Sequence, residues 1–138
     1  MGDLVIDAEL DRTPEALRQR TKDFALRIVR LARWLPRSGE GRLLAGQILR
    51  AGTSVAANYR AACRARSRAE FVAKLGIAVE EADETVFWLE LLGDAEVIAK
   101  TRLEALMREA NELLAILSAS RKTAKLSITK SPNRQITK

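Results

Sequence analysis

SRAEFVAKLGIAVEEADETVFWLELLG, residues 67–93, decides the fold. Ser67 followed three residues later by Glu70 is a capping box, in which each side chain satisfies the other's free backbone amide at a helix start. Behind it, Phe71, Leu75, Ala78, Ala82, Thr85, Leu89 and Leu92 recur at steps of three and four. That spacing is one stripe of an α-helix. Gly93 is expected to close the helix in the left-handed conformation.

Three more helices follow on either side by the same reasoning. Thr13 before Pro14 and Glu15 is a helix start, because the threonine oxygen caps free amides and proline at the first turn loses no needed donor. Leu17, Thr21, Phe24, Ile28, Leu31 and Leu35 continue as its stripe until Pro36. Ser38 is expected to cap a second helix with Leu44, Ile48, Ala51, Val55, Asn58 and Ala62 inward, and Asp94 a fourth with Ala99, Leu103, Leu106, Ala110, Leu113 and Leu117 inward. Connections of a few residues force neighbouring helices to run antiparallel. The predicted fold is therefore all-α, an up-down-up-down four-helix bundle. Residues 1–12 read as an N-terminal extension, 13–121 as the bundle and 122–138 as a basic C-terminal tail.

The 138 residues carry 24 Lys and Arg, 18 Asp and Glu and no His, a net charge of +6. The first 120 residues balance at 18 against 18, so the surplus sits in RKTAKLSITKSPNRQITK, which lacks periodicity and reads mostly as a mobile extension. A polyanionic partner suits such a tail, and so does a plain role in solubility. Cys63 is the only cysteine. A chain with no possible internal disulfide, no apolar run of membrane-spanning length and no leader-like start is expected to be soluble and cytoplasmic.

The stretch SVAANYRAACRARSRAEF, residues 54–71, joins small residues to a run of arginines. Ala51, Ser54, Ala61, Ala62 and Ala65 let a neighbouring backbone approach. Asn58 lies on the predicted core stripe, where an unpaired amide costs on the order of 1–3 kcal/mol. It is expected to set register by bonding to Glu81 or Glu84; direct contact with a ligand is the other reading. Tyr59 reads as amphipathic packing. Arg42, Arg50, Arg60 and Arg64 share one outward arc at 100° per residue, and Arg66, Arg68 and Lys74 continue it into the third helix. These seven are the candidate nucleic-acid-binding residues. Two readings stay open for them, polyanion binding or pairing with Glu80, Glu81, Asp83 and Glu84 of the same or an adjacent subunit, and neither excludes the other. On the third helix Ile77, Phe87, Trp88 and Leu91 project away from the core stripe, so they are candidates for an oligomer interface unless the bundle itself covers them.

The segments SVAANYRAACRARS and EADETVFWLELL, within residues 37–92, resemble the bacterial four-helix-bundle family related to proteins encoded by intervening sequences in 23S ribosomal RNA genes. The likeness extends over roughly residues 15–120. It implies a compact four-helix protomer in a ring-like homopentamer. It is also similar to the accessory protein of diversity-generating retroelements, a basic pentamer that associates with nucleic acid and a reverse transcriptase. Carried over, this makes Arg60, Arg64, Arg66, Arg68 and Lys74 a positive surface and Phe87, Trp88 and Leu91 subunit contacts. The family transfers no catalytic residue.

Without histidine the usual general base and commonest transition-metal ligand are missing, and Glu81 and Glu84 lack the Glu-x-x-His partners of a di-iron bundle. Cys63 beside Arg60, Arg64 and Arg66 is expected to be inert. Magnesium on the carboxylates of residues 80–84 would suit a nuclease, the least favoured class. The expectation is a non-enzyme without cofactor or small-molecule substrate: an oligomeric accessory protein binding structured RNA or a hybrid duplex through phosphates. The alternative is a scaffold docking on an acidic protein such as a reverse transcriptase, with nucleic acid incidental.

Overall fold

The computed structural model describes residues 13–129 as four helices, α1 (Pro14–Trp34), α2 (Gly39–Cys63), α3 (Arg68–Asp94) and α4 (Lys100–Thr129), with no strand among the described residues. Thr13 Oγ1 accepts the Ala16 N–H at 3.2 Å and Pro14 fills the first turn, as the sequence required. Leu35 leaves the helix with extended backbone ahead of Pro36. The next start differs from expectation. Ser38 makes no side-chain cap, and the chain turns instead through Gly39 at φ +60°, a conformation that favours glycine.

At α3, Ser67 Oγ accepts the Glu70 N–H at 3.0 Å, while Glu70 Oε2 accepts from the Arg66 N–H at 3.4 Å rather than from Ser67. The capping box thus closes one residue early. Gly93 does not end the helix. It is buried inside α3, a side chain there would meet Lys100 Cγ at 3.1 Å, and the left-handed residue is Glu96 at φ 59°. The glycine serves close packing, and the turn falls where an exposed residue takes the strained conformation. Consequently Asp94 does not cap α4 but pairs with Lys100 at 3.1 Å, and Ala99 is exposed.

Gly41 lies against Pro36 and Gly52 against Ile28, so α1 and α2 run antiparallel; Arg121 against Gly76 and Lys100 against Gly93 give the same sense for α3 and α4. Contacts between α2 and α3, α3 and α4, and α1 and α2 dominate, whereas α1 and α4 meet far less. That looser side is joined by Arg20, whose guanidinium donates to Glu109 Oε2 at 2.8 Å and Oε1 at 2.7 Å and to Glu112 at 2.6 Å.

The core has two parts. Phe24, Ile28, Ile48, Leu89, Leu92, Leu106 and Leu113 belong to a leucine-rich cluster around the α1–α2 and α3–α4 turns. Leu17, Val55, Tyr59, Ala62, Leu75, Ala78, Ala82 and Leu117 form a second cluster at the opposite end. The predicted stripes are buried apart from Leu31, Asn58 and Phe71, which are half-buried, and Ala99. Buried Thr21 and Thr85 donate to their own helices at Arg18 O and Glu81 O, so neither hydroxyl is stranded. α4 runs past the boundary drawn at residue 121, because Ala124 repeats the stripe seven residues after Leu117 and is buried. Residues 1–12 and 130–138 lie outside the described residues, and with them the N-terminal extension and the rest of the expected tail. No helix among the described residues is long and apolar enough to cross a membrane.

Candidate nucleic-acid interface

Antiparallel packing brings together one end of every helix: the start of α1, the end of α2, the start of α3 and the end of α4. Residues 13–23, 53–80 and 115–129, which build this end, hold eleven Lys or Arg and four Asp or Glu. The remaining described residues hold nine and ten. A chain whose charges nearly cancel along its first 120 residues therefore folds into a bundle that is cationic at one end.

Between α1 and α2 at this end runs an open groove with Ala56 and Ala57 as its floor and Arg18, Lys22, Arg60 and Arg64 around it, with Glu15 and Gln19 at the α1 margin. The alanines leave room for a bulky group to approach, and long cationic stems flank it. Arg66 and Arg68 are exposed and Lys74 half-buried on the adjoining α2–α3 turn and α3. None of these cations forms an ion pair with another described residue. Arg18 and Lys22 are absent from the sequence-derived set; their signal was an i, i+4 pair on the face of α1 away from the Leu17 stripe, and its value depended on which neighbour α1 meets.

A second groove lies between α3 and α4, lined by Val79, Ser118, Arg121, Lys122, Lys125 and Leu126. Arg121 lies across Gly76, where a Cβ would come within 2.8 Å of its Nε, and that Nε donates to Val72 O at 3.3 Å. The glycine is what allows the guanidinium to lie flat there.

The predicted arginine arc divides. Arg60, Arg64, Arg66, Arg68 and Lys74 gather at the cationic end, but Arg42 sits 22 residues before Arg64, about 33 Å away along the helix. Arg50 is engaged by α3, with Nη1 3.2 Å from Glu81 Oε2 and Nη2 bonded to Glu84. The hydrogen bond from Arg50 holds the Glu84 carboxyl below its ordinary range, whereas burial lifts that of Glu81 despite the same guanidinium. Asn58 does not reach either glutamate. Its Nδ2 donates to Ser54 O at 2.9 Å, one turn back on its own helix, because Tyr59 takes the core position and rotates the amide to the margin. Tyr59 is 3% exposed, and burial, with the Cys63 thiol beside it, pushes its hydroxyl well above the usual phenol range.

Along α3, Ile77 near the cationic end is 39% exposed and Phe87, ten residues on, 52% exposed, while Trp88 and Leu91 are half-buried against the leucine-rich cluster. Phe87 and Trp88 meet edge to face with centroids 5.0 Å apart, and Trp88 Nε1 donates to Glu84 at 3.2 Å. Trp34 and Leu43, near the α1–α2 turn, are more exposed still. The sequence reading singled out neither, since helical spacing alone does not say which apolar residue a short turn leaves uncovered.

Residues 16–119 match the family described as 23S rRNA-intervening sequence protein, and the chain belongs to that family. The chain is also similar to a crystal structure from Bacteroides thetaiotaomicron, a protein of unknown function from the S23 ribosomal protein family. The two share 38% identity over 79% of this chain and 97% of that one, with a TM-score of 0.72. No curated protein matches.

Proposed function

We propose that this member of the 23S rRNA-intervening sequence protein family is a non-catalytic oligomeric accessory protein of the cytoplasm. Its cationic end binds the phosphate backbone of structured RNA or a hybrid duplex with little regard for sequence. The groove of Arg18, Lys22, Arg60 and Arg64 around Ala56 and Ala57 carries the reading. Four cations flank a floor too small to obstruct a ligand, and phosphates are the partner that such point charges and guanidinium forks satisfy.

Oligomerisation completes the proposal. An exposed Phe87 against Trp88, with Ile77 about 15 Å back along α3, offers apolar surface that a second copy would cover. A ring of five is the arrangement the resemblance implies, and light scattering gives the mass directly. Fluorescence anisotropy with 20-base-pair RNA, DNA and hybrid duplexes tests the binding. The expected outcome is affinity at low salt that falls steeply as salt rises, by about 0.9 logarithmic units for each tenfold rise in salt per phosphate contacted. No binding to any of these duplexes at low salt ends the proposal.

A further inference from the structure

Residues 1–12, MGDLVIDAELDR, interleave acidic and apolar side chains, with Asp3, Asp7, Glu9 and Asp11 among Leu4, Val5, Ile6 and Leu10. They join the bundle at its cationic end, since α1 starts at Pro14. Arg121 lies against Gly76, eight residues after α3 begins at Arg68, and α4 runs eight residues past Arg121 to Thr129, so α4 ends level with the start of α3. Pro14 and Thr129 therefore lie at the same end of the bundle.

The α3–α4 groove at this end matches the segment in two respects. Arg121, Lys122 and Lys125 supply positive charge, and Val79 with the 49% exposed Leu126 supplies apolar surface. Nine residues span about 30 Å when extended, enough to pass around a helix about 10 Å across. The α1–α2 groove offers cations over an alanine floor but no comparable apolar anchor.

We propose that residues 3–11 dock in the α3–α4 groove, acids against Arg121, Lys122 and Lys125 and apolar side chains against Val79 and Leu126, and so screen the cationic end from polyanions. The contact stands on this geometry; its consequence for ligands rests on the nucleic-acid reading above.

The experiment compares the full chain with the full-chain variant Asp3→Asn, Asp7→Asn, Glu9→Gln and Asp11→Asn. Amide hydrogen exchange over residues 76–80 and 121–129 is expected to accelerate several-fold in the variant, with the thermal transition lowered by only a few degrees, as the loss of a contact made only in the folded state requires. Affinity for a 20-base-pair RNA duplex at low salt is expected to rise about tenfold, the gain for a surface occupied nine-tenths of the time. Both differences are expected to fade at high salt. Unchanged exchange overturns the docking whatever the duplex does. Faster exchange with unchanged duplex affinity overturns the screening. If neither chain binds the duplex, the nucleic-acid reading fails, while exchange still decides whether the segment docks.

Discussion

At the end where α1 begins, the core is assembled from Tyr59, Ala62, Ala78 and Ala82 around four aliphatic residues, and the surface is cationic. At the other end Phe24, Ile28, Ile48, Leu89, Leu92 and Leu113 fill the interior, acids and bases nearly cancel, and Trp34, Leu43 and Phe87 meet water. Small side chains provide less buried area, and like charges crowded at one end repel one another. The difference suggests a division of labour in which the leucine-rich end holds the fold and the alanine-rich end bears the strain of its charge.

The largest test of that division is Leu89→Ala, which empties a fully buried position in the leucine-rich cluster and is expected to cost about 3 kcal/mol in urea unfolding. Ala78→Gly at the opposite end is expected to cost about 1 kcal/mol, chiefly through helix propensity. Equal losses would erase the contrast. Gly52→Ala comes next, between the two ends. Its new Cβ would fall 2.7 Å from Ile28 Cγ1, and overpacking of this kind is expected to cost about 2 kcal/mol.

A smaller effect is expected in binding. Lys22→Ala with Arg60→Ala and Arg64→Ala is expected to weaken duplex affinity at least about tenfold at low salt and to shallow the salt slope. Arg42→Ala, about 33 Å along α2, is expected to leave both unchanged. If Arg42 mattered as much, the ligand would track the helix rather than the end.

The smallest effects concern the two arginine forks. Arg20 holds the half-buried Glu109 carboxyl below its ordinary range, first through hydrogen bonding. A depressed folded pKa contributes stability above the ordinary carboxylate value and loses it as pH falls through the folded one. Acid below about pH 4 is therefore expected to loosen the α1–α4 side. Glu109→Gln is expected to cost about 1 kcal/mol at neutral pH and to flatten that acid limb. Burial raises Glu81, so its contribution runs the other way, present at low pH and lost as pH rises. Glu81→Gln is expected to change the neutral-pH melting temperature less than Glu109→Gln does.

Much of this was legible in the chain because the core stripes repeat at three and four over whole helices, and because Thr13, Pro14, Ser67 and Pro36 punctuate them. The clustering of Arg60 to Lys74 was legible too, since it flanks the short turn between α2 and α3. Other features depended on neighbours. Asn58 and Tyr59 differ by one position on a helical wheel, and only packing against α3 decides that the ring goes inward. Gly93 reads as a stop until Lys100 is seen folded over it. Arg50 sits on the same arc as Arg60, yet two carboxylates on the next helix take it. Arg18 and Lys22 gain meaning from lying across a groove from α2, which no local pattern records.

The two tryptophans occupy unlike settings, Trp34 77% exposed and Trp88 half-buried with its indole N–H on Glu84. Their fluorescence is thus expected to combine a red, readily quenched component with a bluer, shielded one, both remote from the cationic end. A ligand arriving at that end leaves the emission largely alone, whereas another copy covering Phe87 and Trp88 blocks quencher from the second component. The molecule carries a built-in optical means of telling assembly apart from ligand capture.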